Sequence, residues 1–491
     1  MPKSPKLSKR SAIIERKFRR NLAAITLTAL VIKVFIILRI QGFDWYQAAG
    51  GDLGKGLGIL LDNNYAPPNA WYGADGENYI RGLQGLVEDG LYSKEGKLSY
   101  WPAGYPILMW PIIELFRGYF FLVFAILQSF LYAFASIWFV DEVRKTRISK
   151  VSYFLALLLA FNPTLTLNTI AIGYELPVVS LSLISVAALL RYFSEGKSSW
   201  ISGEVILASL AFSFASFMQP RLLVVAVGFF FLWAISKFKL IYAAPFLAVT
   251  LGLVSIAPGI LTFRNKEAQG YAAISTNLGV TMRLGAGPEA TGGYKNQGAG
   301  TVQCPEVKGS ASEADRATVK CVIDWYLDNP TKALVLFWNK ARYFWSPWFG
   351  PEANGTMARN PWSQNHPLRS SVQTESGFKM IFGGFGKITS WIWMICGLLS
   401  LCYGFLLLWR LGDLERLLAL IAASAFLINI VSSMLTIGDH RFRIPSMGMS
   451  ILLQVVGIRG VLFRKEVLDR RGQSLVTWPA IKREKFRRVN P

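Results

Sequence analysis

Apolar residues fall into long blocks rather than the one-face or alternating patterns of a water-soluble domain. The first block runs from Asn21 to Ile40, and others cover residues 119–140, 151–161, 174–192, 201–218, 222–235, 242–261, 386–409, 417–437 and 444–463. A helix of about 20 apolar residues crosses the hydrocarbon core, so the pattern predicts an all-α polytopic membrane protein of about ten transmembrane helices. Asn162 and Pro163 break one block and Pro220 another, which makes 151–192 and 201–235 read as out-and-back pairs.

Two long polar stretches interrupt the blocks. In the first, residues 41–118, Ile80, Leu83, Leu86 and Val87 recur at helical spacing and predict an amphipathic helix lying flat on the membrane surface, with Asp75 at its N-terminus facing the bilayer rim. Pro102, Gly104 and Pro106 then break the backbone, and 107–116 is too short to span, which predicts a second surface helix. Together the two would roof a cavity. The second stretch, 262–385, has Gly-rich segments, a polar helix at 313–327 and the aromatic run F-W-N-K-A-R-Y-F-W-S-P-W, which suits a membrane interface. The chain therefore divides into a basic tail (1–20), a transmembrane module (21–261) containing the loop 41–118, an external region (262–385), C-terminal transmembrane helices (386–463) and a second basic tail (464–491). No short-period repeat interrupts this plan.

Charge sets the orientation. The 52 Lys and Arg outnumber 30 Asp and Glu, for a net +22. They gather between apolar blocks: in the first twenty residues, at Arg144, Lys145, Arg147 and Lys150, at Lys197, at Lys237 and Lys239, at Arg410 and Arg416, and after Phe463. Retention of Lys and Arg on the cytoplasmic side explains this interleaving without a nucleic-acid partner, and puts both termini inside and both polar stretches outside. The basic start followed by a long block reads as an uncleaved anchor rather than a signal peptide. Of the four cysteines, Cys396 and Cys402 lie in an apolar block and read as packing residues. Cys304 and Cys321 share the external region, either as free thiols or as a disulfide contributing about 3 kcal/mol in an oxidising compartment.

Against this frame a few polar residues stand out. Asp75 at a helix N-terminus is either an N-cap or a carboxylate that stays ionised and takes a proton from an acceptor hydroxyl. Glu77 is either a first-turn dipole partner or a second carboxylate for a divalent cation, while Asp44, Asp52 and Asp62 read as solvated. Glu175 sits where the chain re-enters lipid, as a functional acid or one left among headgroups. The turn G-D-H-R-F-R-I-P puts Asp439, His440, Arg441 and Arg443 on the external side, against the charge trend. Two guanidiniums there suit a phosphate, since Arg offers planar bidentate donors; the alternative is a salt bridge to Asp439 with snorkelling. Arg264, Lys33 and Arg39 fall near outer ends of spans and are candidates for the same role. With only His366 and His440, a His-rich metal site or a Ser-His-Asp hydrolase is disfavoured, and no nucleotide-binding fingerprint occurs.

The order of these features resembles the C-type membrane glycosyltransferases that use polyprenyl-phosphate sugars, in particular the bacterial group related to protein mannosyltransferases and lipid A aminoarabinose transferases. The resemblance rests on Asp75, Tyr79 and Gly90 followed by Y-W-P-A-G-Y-P; on Glu175 opening a span; on Arg264-Asn265, I-S-T-N and A-T-G-G-Y; and on R-F-R-I-P before the last span. It covers roughly residues 21–463. The chain departs from the group at Asp75-Gly76-Glu77, where an acid pair is common, and at Met218-Gln219-Pro220-Arg221, where Thr-Arg-Pro is common. The resemblance implies inverting sugar transfer on the external face of a bacterial inner membrane, with Asp75 as general base; Arg441 and Arg443 would stabilise the departing phosphate, with Arg264 and Lys33 as weaker candidates for the same job. Its partners would be a polyprenyl-phosphate sugar, a glycan, lipid or protein acceptor, and the surrounding membrane lipids. No cofactor is required for certain, and a divalent metal at Asp75 and Glu77 stays open. The rivals are a transporter or lipid-linked glycan flippase, which long external loops and the lack of internal repeats disfavour, and a polymerase or ligase acting on diphosphate-linked glycans.

Overall fold

The structure, a computed structural model, describes residues 9–40, 44–61, 76–95, 97–169, 171–195, 199, 201–238, 240–293, 300–346 and 384–463. Among these the regular structure is helical. Helix α1 (Lys9–Ile40) is followed by α2 (Asp44–Ala48), α3 (Leu53–Leu61), α4 (Gly76–Asp89), α5 (Gly104–Phe116) and α6 (Phe120–Arg144). Then come α7 (Ser152–Phe161), α8 (Pro163–Asn168), α9 (Glu175–Ser194), α10 (Gly203–Met218), α11 (Leu222–Lys237), α12 (Leu240–Val254) and α13 (Ile256–Gln269). The second polar stretch forms α14 (Leu278–Leu284), α15 (Ala311–Asp328) and α16 (Pro330–Phe344). The described chain ends in α17 (Gly384–Leu411), α18 (Asp413–Leu435), a 3-10 turn (His440–Ser446) and α19 (Met447–Leu462).

The apolar blocks of the sequence are helical where described. Six helical segments are long and apolar enough to cross a membrane, or seven if the bent pair α12–α13 is one span; α7, α10 and α11 are apolar but shorter. The protein is an all-α polytopic membrane protein, and a count of ten rests on those three short helices. Helix α9 is its axis. In its apolar window 83% of residues are buried, against 22% for α1 and 28% for α17, whose faces look outward. Around α9 pack α6, α10, α19 and the 3-10 turn, and Tyr174 and Glu175 stand at its start.

Two local expectations change. The separate surface helix expected at 107–116 is α5, which runs into α6 as one stretch, Gly104–Arg144, across a 3-10 turn at Arg117–Tyr119 where Arg117 has a φ of 43°. The apolar residues simply continue past the break. The stripe on α4 does form a helix face, with Tyr79, Ile80, Leu83 and Leu86 buried, but protein rather than lipid covers it. Trp45, Leu57, Leu60, Tyr105 and Met109 pack beneath it. Gly90 ends the helix at φ 80°, its N–H bonded to the Leu86 carbonyl at 3.0 Å, a conformation glycine adopts without strain. Cys396 and Cys402, expected as packing residues, are exposed on the outer face of α17.

Helices α17 and α19 cross on small residues. A Cβ at Gly404 would run into the Leu453 carbonyl, and one at Gly457 into that of Ser400. Close backbone approach of this kind is how helices associate where lipid removes the hydrophobic drive. Gly404→Val or Gly457→Val should therefore cost about 1–3 kcal/mol or more and lower the thermal unfolding midpoint in detergent. Gly252→Ala, with nothing within 4 Å of its Cβ position, should not.

Candidate active site

A cavity of about 790 Å³ opens between the membrane helices and the second polar stretch, within the range of small-molecule sites. Its walls draw on segments far apart in sequence. Asn78 and Tyr79 come from α4, Tyr100, Trp101 and Pro102 from the Y-W-P-A-G-Y-P element, Tyr174 from the start of α9, and Gln219, Pro220 and Arg221 from the break between α10 and α11. Ile274, Ser275 and Asn277 of I-S-T-N, Asp315 on α15, Thr436, and Arg441 with Phe442 complete it.

Close contacts explain why these segments have their residues. A Cβ at Gly104 would collide with the Phe217 carbonyl at the end of α10, so only glycine lets Y-W-P-A-G-Y-P close on the bundle. The next residue, Tyr105, accepts the Gly173 N–H at 2.9 Å on its buried hydroxyl, joining that element to the residues before α9. Tyr79 packs edge-on against both Tyr105 (5.0 Å between centroids) and Tyr174 (6.3 Å).

At the floor of this wall Arg441 Nε donates to Glu175 Oε1 in a buried ion pair, the two residues 7% and 3% exposed. The Arg441 guanidinium also lies 5.5 Å from the Tyr174 ring centroid, and its backbone N–H is held by Asp439 Oδ1 at 2.8 Å. Arg441 thus lines the cavity with its charge matched by Glu175. Asp439 caps the turn, and the acid opening α9 is an ion-pair partner of Arg441.

The other cations named from sequence lie elsewhere. Arg443 is turned away from the cavity; its Nη1 donates to the Phe344 (3.4 Å) and Ser346 (3.2 Å) carbonyls, and it stacks at 4.9 Å on Trp345, holding the end of α16. Arg264 is 1% exposed and donates to the carbonyls of Leu91 (2.9 Å) and Ser93, to Ser99 Oγ (2.9 Å) and to Asn265 Oδ1 (2.9 Å). Asn265 in turn donates to the Ala273 (2.7 Å) and Ile274 (3.2 Å) carbonyls. Arg264-Asn265 is therefore a knot tying the loop after α4 to I-S-T-N, behind the cavity wall. Lys33 is buried between α1, α6 and α7, 4.5 Å from the Tyr132 ring centroid and apart from the cavity lining. The Arg39 side chain and Asp75 lie outside the described residues, as does Tyr294, which closes A-T-G-G-Y. Asp75 directly precedes α4, whose Asn78 and Tyr79 line the cavity. Glu77 is half-exposed and paired with Arg81 at 2.7 Å, a helix-surface pair. Among the described residues no three His, Cys, Asp or Glu side chains converge as a metal site, and of Asp75 and Glu77 only the latter is described.

Two polar groups had no signal in the sequence. Asp315 lines the cavity from α15 and accepts the Gly279 N–H at 2.7 Å; burial raises its pKa, partly offset by that bond. Lys340 on α16 is fully buried behind the wall, its Nζ donating to the Tyr326 hydroxyl at 2.8 Å, and burial pushes its amine down to about 7. The spacing of Asp315 and Lys340 within polar helices marks neither for burial; only the packing of α14, α15 and α16 does. The Cys304–Cys321 disulfide ties the loop before α15 to that helix, which starts with a capping box from Ser310 and Glu313.

No protein-family model and no curated protein matches the sequence. Among solved structures, the chain is similar to the Archaeoglobus fulgidus oligosaccharyltransferase in its apo form (14% identity, TM-score 0.44). It is also similar to that enzyme tethered to an acceptor peptide containing the NVT sequon (12%, 0.44), and to archaeal AglB with an inhibitory peptide and a dolichol-phosphate (11%, 0.43). Each match covers 91% of this chain and 51% of the other, so the chain spans about half the length of those structures.

Two outcomes follow from the buried charges. Removing one partner of a buried pair strands the other, so Glu175→Ala should destabilise the protein by about 3–5 kcal/mol, while the double change Glu175→Leu with Arg441→Met should recover most of that loss; unfolding in detergent measures both. For Lys340 the folded state releases a proton that the unfolded chain still holds, from pH about 7 up to the ordinary lysine value of 10.5. Stability should therefore rise with pH through that window. Comparing wild type with Lys340→Met between about pH 6.5 and 9 should show a steeper rise in the wild type.

Proposed function

We propose that this protein is a membrane glycosyltransferase of the C-type class, moving a sugar from a polyprenyl-phosphate donor to an acceptor hydroxyl on the external face with inversion. The observation that carries this reading is the cavity lined in common by Tyr79, Y-W-P, Tyr174, I-S-T-N and Arg441, segments scattered over most of the chain. Tyr79, Y-W-P, I-S-T-N and Arg441 belong to segments on which the resemblance to that class rests, and Tyr174 stands next to another, Glu175.

In the proposed reaction the acceptor oxygen attacks the anomeric carbon from the face opposite the phosphate. The C–O bond to phosphate breaks with its electron pair, leaving polyprenyl phosphate, and the acceptor's proton passes to Asp75. An inverting displacement needs one base on the acceptor side and positive charge on the leaving-group side. Asp75 supplies the first from the N-terminal end of α4, where the helix dipole favours the ionised carboxylate.

The test is transfer from polyprenyl-phosphate sugars by the purified full chain. Asp75→Asn should reduce it by about 10²–10⁴-fold, the usual contribution of a positioned base, with helical content and unfolding midpoint unchanged. Full transfer by Asp75→Asn removes Asp75 as base. A wild type that transfers from no such donor, yet moves a lipid-linked glycan across vesicles, makes the protein a flippase instead.

A further inference from the structure

Among the described residues the cavity's cations are Lys97, Arg221 and Arg441, and they differ in what already surrounds them. Arg441 is buried against Glu175. A phosphate that took its charge would have to leave Glu175 uncompensated in a buried site, which is strongly unfavourable. Lys97 is an exposed side chain on the loop before Y-W-P. Arg221 is half-buried in the wall and, among the described residues, has no carboxylate within ion-pair distance.

Its surroundings hold it without neutralising it. The Gln219 amide is assigned with its oxygen toward the guanidinium, because the opposite orientation would set its NH2 against the N–H groups of Arg221; so placed, the oxygen accepts from Arg221 Nε at 3.0 Å and Nη2 at 2.7 Å, and from the Tyr174 hydroxyl at 2.7 Å. Nη2 also reaches that hydroxyl at 3.2 Å, and the guanidinium lies 4.2 Å from the Phe442 ring centroid. Two neutral acceptors and a ring face fix the plane of the group, leaving Nη1 without a protein acceptor among the described residues. A fixed guanidinium with spare N–H groups lining a cavity is suited to a phosphate monoester.

We infer that Arg221, positioned by Gln219, Tyr174 and Phe442, is the principal contact of this protein for the phosphate of its isoprenoid carrier, while Arg441 is held in reserve by Glu175 as part of the wall. The assignment rests on the proposed function and gives one of its binding roles to a residue at which the chain departs from the group it resembles.

Farnesyl phosphate, farnesol and inorganic phosphate, titrated into the detergent-solubilised full chain with tryptophan fluorescence as readout, separate the outcomes. The wild type should bind farnesyl phosphate; Arg221→Gln should weaken it at least tenfold and Arg221→Lys by less, with farnesol affinity the same in all three. A structural role for Arg221 would lower farnesol and farnesyl phosphate binding together, and that result overturns the assignment. So does wild-type affinity in Arg221→Gln, or a larger loss in Lys97→Gln, both of which leave the transferase reading intact. Inorganic phosphate displacing the lipid at equal concentration makes this a free-phosphate site and also overturns it. A wild type that binds no farnesyl phosphate removes the proposed function as well.

Discussion

The buried pair between Glu175 and Arg441 is the constraint on which the rest of the site depends. It joins residues 266 positions apart, the first of the central helix α9 and one in the 3-10 turn that leads into α19. Neither charge is tolerable alone when so deeply buried, so the first half of the bundle and the last helices can dock only in the register that brings them together. The net energy of such a pair is small against a well-packed apolar substitute.

Once α9 is fixed, the remaining polar residues fall into two populations. Arg264, Asn265 and Arg443 direct their donors to backbone carbonyls of loops and helix ends that would otherwise be buried unsatisfied. They make irregular segments rigid enough to form a wall. Arg221 and Asp315 sit on that wall with capacity left over. Helices α14–α16 close the space from the other side; the Lys340–Tyr326 bond joins α15 to α16 and the Cys304–Cys321 disulfide ties the preceding loop to α15. The backbone N–H of Gly438, just before the turn that carries Arg441, bonds to the Gly292 carbonyl of A-T-G-G-Y at 2.8 Å. This couples the roof to the turn that carries the pair.

Much of this architecture is written in local sequence. The apolar blocks, the stripe Ile80–Leu83–Leu86, the break at Asn162-Pro163 and the polar helix after Ser310 all depend on residues within one or two turns of each other, and all appear as helices and breaks. Several segments that line the cavity, Y-W-P, I-S-T-N and R-F-R-I-P among them, were singled out by the resemblance rather than by any local property they share. The two local misreadings have the same origin. Whether α5 stands apart from α6, and whether lipid or protein covers α4, depends on neighbours rather than on the segment.

The sequence by itself determined an all-helical membrane chain and the order of its elements, because hydropathy and backbone propensity are properties of short windows. Only the tertiary structure decided which charge does what. Arg221, Arg264, Arg441 and Arg443 are the same side chain in similar polar contexts, and a guanidinium is a structural clamp or an open binding group according to whether carbonyls, a carboxylate or neutral acceptors are packed against it. Those partners come largely from other segments of the chain, so no reading of the local sequence could sort them.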